Sequence, residues 1–316
     1  MQIIRLSDAA SGAEASILAS FGFNCYRFRV RFDDRPIDVV WSEPEFETGR
    51  KRASGSGIPL LFPYAGRIRG KTLKWDGREW PLEGDDHRGN AIHGYVLTRP
   101  WRVLDQSSRR AVGQFQASVD APELLRAWPA DFRITAAYEL AGASLTSDFV
   151  IENPDQRPLP FGFGTHPYFC VPVGGDNADA CRVQLPVRQR WELVDMLPTG
   201  RQLPVESPDA YQAGLPFGQM KFDDAFTGLA FAGDWCRPGI TDPGSGRRLV
   251  VEFDRAFREC VVYNPPHRQA VCIEPLTWCP NAFELQQQGL DAGLRVLAPG
   301  QSLQCRVTMR IERIRP

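Results

Sequence analysis

The chain is predicted to fold as an all-β protein, a large antiparallel β-sandwich with few short helices. Three observations carry that expectation. Glycine (28 residues) and proline (26 residues) cut the 316-residue chain into short stretches with little room for long helices. Many of those stretches alternate apolar and polar residues with the period of two that a half-buried strand shows. Segments with helical character are few.

Taken in chain order, Phe21-Gly22-Phe23-Asn24-Cys25-Tyr26-Arg27-Phe28-Arg29-Val30 spaces its apolar residues as a strand does. Residues 133–140 and 144–151 read as two arms of a hairpin turning at Ala141-Gly142-Ala143. Residues 249–253 and the closing 302–311 are further strands. The best helical candidate is 122–128, where Pro122 suits a helix start and Pro129 stops it. Strands at short spacing with turn signals between them indicate a sandwich.

A length of 316 residues is enough for a large core and, as a prior, for two domains. The best linker candidate is Asn153-Pro154-Asp155-Gln156-Arg157-Pro158-Leu159-Pro160, yet candidate site residues fall on both sides of it. One domain over residues 1–316 is therefore expected. A formal net charge of -1 gives no bulk attraction to nucleic acid or to an anionic membrane, so neither partner is expected. The start, Met1-Gln2-Ile3-Ile4-Arg5, lacks the features of a signal peptide, and no apolar segment is long enough to span a bilayer. The eight cysteines form no Cys-x-x-Cys pair and mostly sit among apolar neighbours, which predicts buried, reduced thiols in a cytoplasmic protein. Cys272 and Cys279 lack zinc-ligand spacing, and no metal is expected. The oligomeric state is not legible.

Two motifs are decoys. Ala65-Gly66-Arg67-Ile68-Arg69-Gly70-Lys71-Thr72 nearly matches a phosphate-binding loop, but Leu73-Lys74-Trp75-Asp76-Gly77-Arg78-Glu79-Trp80 reads as strand, turn and strand. The required helix, whose amides would hold the phosphate, is missing. Gly162-Phe163-Gly164 lacks the third glycine of a dinucleotide fingerprint.

Three ionisable residues stand out. His93 in Ala91-Ile92-His93-Gly94-Tyr95, His166 in Gly164-Thr165-His166-Pro167-Tyr168-Phe169 and Glu274 in Cys272-Ile273-Glu274-Pro275 each precede Gly or Pro and lie near apolar or aromatic residues. Imidazole titrates near neutrality and a carboxylate accepts protons, so the three form a candidate acid–base set. Glu274 is the sharpest: a carboxylate in an apolar run is costly to bury without a partner, and a structural ion pair with an arginine competes with a functional role. A solvated turn accounts equally for Asp223 and Asp224, and Arg67 is one of many arginines. His87 and His267 read as surface residues, and Trp278 as core before sugar platform.

The segment Gly57-Ile58-Pro59-Leu60-Leu61-Phe62-Pro63-Tyr64-Ala65-Gly66-Arg67-Ile68 resembles the first signature of the aldose 1-epimerase (galactose mutarotase) family. In the family's order there follow His93-Gly94, His166-Pro167-Tyr168-Phe169, Asp223 with Phe226, and Glu274 before Pro280-Asn281-Ala282-Phe283. The resemblance implies a β-supersandwich with an open carbohydrate cleft and cofactor-free interconversion of sugar anomers. It implies that Glu274 takes the proton of the C1 hydroxyl and that His166 protonates the ring oxygen. Arg67 and His93 would hydrogen-bond the sugar, and Asp223 would hold a sugar hydroxyl. The partner implied is a small sugar, a hexose, with no metal and no cofactor.

Two departures set the chain apart within that resemblance. Gly66 stands where many members carry Asn, and Glu274-Pro275-Leu276-Thr277 lacks the Gln that galactose-type enzymes tend to carry, which resembles a less characterised bacterial-type branch. Two rival readings remain. One is a non-catalytic sugar-binding or regulatory module on the same scaffold. The other is a glycoside hydrolase pairing Glu274 with Asp223, which requires carboxylates about 5–9.5 Å apart across one glycosidic bond.

Overall fold

The computed structural model describes residues 1–33 and 35–314. Among the described residues, antiparallel strands form an eleven-stranded sheet, an eight-stranded sheet and a four-stranded sheet, with three small ribbons beside them. The α-helices are short: Ala117–Asp120, Pro208–Ala213 and Ala282–Gln287. The fold is the expected all-β sandwich.

Alternation produces the layers. In the hairpin Arg133–Ala141 and Ser144–Glu152 every second residue is buried, so one face of the large sheet meets the core while the other meets water. The arms pair in register from Arg133↔Glu152 to Ala141↔Ser144, which puts Gly142 and Ala143 at the turn. The core joins this face to the inner face of the eight-stranded sheet, where Val262, Val271 and Ile273 are buried. The interior is dense in aromatic rings, Trp128, Trp191 and Trp278 among them. Trp278 donates its indole N–H to the carbonyl of Ala65 at 2.9 Å, which makes it a core residue and not a sugar platform.

Local differences from the sequence reading have physical causes. The strand expected from Phe21 begins at Asn24, because Gly22 and Phe23 both adopt left-handed backbone in a preceding turn. Phe23 is nevertheless fully buried, so its side chain continued an apolar alternation that its backbone does not follow. The helix expected over 122–128 is a 3-10 turn, Pro122–Arg126, and Trp128 beyond it drops into the core. The stretch 153–160 is tied down and does not act as a free linker: buried Asn153 donates to the carbonyls of Arg157 and Leu297, and Leu159–Phe161 forms a strand. The decoy phosphate loop is followed by the hairpin Thr72–Trp75 and Arg78–Pro81, as expected.

Candidate active site

The site lies on the outer face of the eight-stranded sheet, and the strand register assembles it. Strand Asp223–Thr227 pairs with Glu259–Tyr263, which pairs with Ala270–Leu276, giving the rows Asp223↔Tyr263↔Cys272 and Ala225↔Val261↔Glu274. Beyond Ala270–Leu276 the next segment pairs as Gly164↔Leu276 and Tyr168↔Cys272. These two pairs are symmetric about His166 opposite Glu274. Side chains two apart on a strand share a face, so both rows point the same way. One row ends in Glu274 and His166, and the neighbouring row brings Asp223, Tyr263 and Tyr168 alongside.

Pro275 does not end its strand, which runs on to Leu276. The carbonyl of Leu276 accepts from Arg258, so the adjoining peptide of Pro275 faces the other neighbour. That neighbour is the segment holding His166 and Pro167, where pairing is interrupted. A missing N–H leaves no ladder bond unmade there.

A two-stranded ribbon, Arg67–Ile68 with Ala91–Ile92, brings in the next two residues. The amide of His93 donates to the carbonyl of Gly66, locking the ends of the ribbon together. Both glycines are obligatory. A Cβ on Gly94 (φ 70°) would lie 2.2 Å from the carbonyl oxygen of Phe62, and one on Gly66 (φ 73°) would lie 2.7 Å from Cγ of Pro280. The second contact explains why a side chain is absent just before Arg67.

All five residues singled out from sequence, Arg67, His93, His166, Asp223 and Glu274, line one cleft of about 250 Å³. That is space for one small molecule, near the lower end of ligand-pocket volumes of roughly 300–1,000 Å³. His166 Nε2 lies 3.3 Å from Glu274 Oε1, with both side chains buried. The His166 ring stacks on Tyr168 with centroids 5.0 Å apart and meets His93 edge-on at 5.5 Å. Tyr168 is fixed in turn by its hydroxyl, which donates to the carbonyl of Ser54 at 2.9 Å. Arg67 donates to Asp86 at 2.9 Å, and Asp86 also accepts from Asn90. Asp223 sits exposed at the mouth. Among the described residues Glu274 has no arginine partner within 4.0 Å, so the structural ion pair gives way to contact with His166. His87 is exposed at the rim, and His267 packs on Trp41 at 4.0 Å. Glu274 is in contact with His166 and not with Asp223, which favours imidazole–carboxyl chemistry over the paired carboxylates of a hydrolase.

Burial controls the charge of the pair. It pushes His166 down to about 3, with nearby Arg52 adding to the effect. Burial also lifts Glu274 well above the usual carboxylate range, as does Asp223, while Arg67 opposes the lift. The structure thus moves each group against its charged form. In the free cleft burial therefore favours the neutral imidazole and the protonated carboxyl. Burial also keeps His93 well below its ordinary value, and partial desolvation raises Asp223, although it is open to solvent at the mouth, against the pull of Arg67. Asp86 is pushed up by burial, but hydrogen bonds from Asn90, Arg88 and Arg67 outweigh this and hold it ionised.

Ligand atoms of His166, Cys272 and Glu274 lie within 4.8 Å of one another, close enough for all three to reach one metal ion. Binding would require both acids to lose protons that burial retains. Sequence reasoning missed Tyr263, Asp86 and Arg52 as lining residues. Tyr263 was legible in principle, since it lies two residues from Val261 on the same face of a strand; Asp86 and Arg52 are loop residues without a periodic signal.

A family model described as aldose 1-epimerase matches residues 18–310. The uncharacterised protein YphB of Escherichia coli (strain K12) is 24% identical over 294 residues, which cover 87% of this chain and 92% of that one. A galactose mutarotase-like protein from Clostridium acetobutylicum superposes with a TM-score of 0.84 at 22% identity, covering 99% of both chains. A GalM/aldose epimerase homologue from C. elegans gives 0.81 at 15% identity, again over 99% of both. These likenesses establish the fold.

Proposed function

From the chain's membership of the aldose 1-epimerase family, we propose that it interconverts the α and β anomers of an aldohexose or a hexose derivative by acid–base ring opening and reclosure. The observation that carries this is the contact of His166 with Glu274 on the cleft floor. The two oxygens of a hemiacetal are bonded to one carbon. A proton donor and a proton acceptor that serve both must themselves be neighbours, and these two are.

In opening, Glu274 removes the proton of the C1 hydroxyl and the C1–O5 bond breaks as C1=O forms. His166 gives its proton to the departing O5. Rotation about C1–C2 presents the other face of the aldehyde, and reclosure runs the transfers backwards. Each well-placed acid or base contributes about 10²–10⁴-fold. Arg67, braced by Asp86, and His93 bind sugar oxygens and steady the charge that develops, and Asp223 accepts from a hydroxyl at the mouth.

The free-cleft protonation has a consequence for this cycle. A protonated Glu274 beside a neutral His166 is the state that ring opening leaves behind, so the free site complements the open-chain aldehyde. To act on a cyclic sugar the proton passes from Glu274 to His166 across their 3.3 Å contact. Sugar hydroxyls that donate to the carboxylate favour this transfer.

The site draws residues from Arg67 to Glu274, which supports reading 1–316 as one functional unit. Among the described residues all eight cysteines are free and no helix is long and apolar enough to cross a membrane; the thiols support a cytoplasmic setting. Polarimetry on freshly dissolved α-anomers of a broad sugar panel tests the proposal. Acceleration of at least one sugar is expected. Calorimetric sugar binding without acceleration would replace the enzyme with a binding module.

A further inference from the structure

The cleft holds one arginine that the acid–base chemistry does not use. Arg52 lines it, is exposed, and among the described residues has no carboxylate within 4.0 Å. Three other cations near the cleft are paired: Arg67 with Asp86, Arg190 with Asp224, and the neighbouring Lys51 with Glu43. Arg88, outside the cleft lining, bears on Asp223 at the opposite end from Arg52. Arg52 is also held in place. Its Nε donates to the hydroxyl of buried Ser54 at 3.0 Å, which leaves the two terminal nitrogens of the fork without a side-chain partner. The same Ser54 accepts, through its carbonyl, the hydroxyl of Tyr168, on which His166 stacks. The guanidinium is thus tied, through one residue, to the catalytic stack.

We propose that the sugar handled here carries an anionic substituent, a carboxylate, phosphate or sulfonate, on the carbon next to the ring oxygen, and that the free fork of Arg52 holds it. The placement of that substituent rests on the epimerase reading above. Arg52 bears electrostatically on His166, His93 and Tyr168. Glu274 answers to Asp223 and Arg67 instead, and Tyr263 feels both Asp223 and Arg52. The cleft is therefore polarised: a cationic end beside the residue that protonates O5, and an acidic end beside the residue that serves the C1 hydroxyl. A sugar whose C5 substituent is anionic fits that polarity. Asp223 at the other end takes neutral hydroxyls, for which an ionised carboxylate is a good acceptor. A planar fork suits carboxylate, phosphate and sulfonate alike.

Two readouts test this: calorimetric binding, and anomer exchange followed by NMR. The probes are glucose, galactose, their uronic acids, glucose 6-phosphate and a 6-sulfonated glucose, each with parent, Arg52→Ala and Arg52→Lys. Parent protein is expected to bind at least one anionic sugar roughly tenfold or more tightly than its neutral counterpart. Arg52→Ala is expected to shrink that ratio about tenfold, and Arg52→Lys to keep part of it. The anionic probe with the largest ratio identifies the group. Equal affinity for neutral and anionic sugars in the parent overturns the proposal, as does an unchanged ratio in Arg52→Ala. An Arg52-dependent preference in binding with no anomer exchange for any sugar would uphold Arg52 as the anion site and overturn the epimerase reading instead.

Discussion

His166 and Glu274 occupy facing positions of adjacent strand segments, midway between the pairs Gly164↔Leu276 and Tyr168↔Cys272, with Nε2 and Oε1 3.3 Å apart. Their proximity follows from backbone register, so removing one side chain leaves the other in place. Glu274→Gln and His166→Asn are each expected to lower kcat by about 10²–10⁴-fold. The double variant should lose little more than the worse single one, because the pair acts as a unit. Initial rates of anomer exchange check both statements.

The charge state of the pair sets the pH dependence. The working pair holds one mobile proton, lost from use when His166 takes up a second below about 3 or when Glu274 releases its own at a pH well above the usual carboxylate range. Between those limits kcat/KM should be flat, with the acid limb lying far below the ordinary histidine value of 6.5. A rate profile on the acid side of neutrality checks this, and a fall in rate on acidification centred at the ordinary histidine value would contradict it.

The same burial makes Glu274 a cost to the fold. A carboxyl raised in the folded state binds a proton that the unfolded chain has released above the ordinary 4.5, so its penalty grows as pH rises through that value. Glu274→Gln removes the ionisation. Its melting temperature is expected to exceed the parent's at neutral pH, and the gap should close on acidification below the ordinary carboxyl value. Paired thermal melts across that range check it.

Asp86 lines the cleft and braces Arg67, to which it bonds at 2.9 Å. Asp86→Asn keeps the shape and removes the charge, so Arg67 is held less firmly. A rise in KM of about tenfold is expected, with a smaller change in kcat, on the scale of one charge-assisted hydrogen bond. Steady-state kinetics separate the two parameters.

Gly94 has no room for a methyl group, its Cβ position being 2.2 Å from the Phe62 carbonyl at a φ of 70°. Gly94→Ala is expected to cost at least about 1–3 kcal/mol of stability and to displace His93 next to it. Denaturant unfolding measures the first effect. A rise in KM in the fraction that remains folded reports the second.

Much of this was legible in the sequence because it follows from periodicity. The hairpin built on Gly142 was evident from its alternation, and so was the failure of Lys71-Thr72 to begin a helix. The motif residues fell together because three of them, His166, Asp223 and Glu274, belong to one sheet face whose register the strands dictate. Loops carry no such signal. Asp86 and Arg52 enter the cleft from irregular segments, and Phe23 kept an apolar alternation through a turn where its backbone was left-handed. The protonation of the pair was also out of reach, since ordinary pKa values apply only to groups in water and these two are buried.

The account stands on one spatial claim, and a crystal structure with a bound sugar tests it directly. It predicts His166 Nε2 within hydrogen-bond distance of the ring oxygen and a Glu274 carboxyl oxygen within the same distance of the anomeric hydroxyl. A sugar seated in the cleft with any other pair of its oxygens facing these two side chains would contradict it.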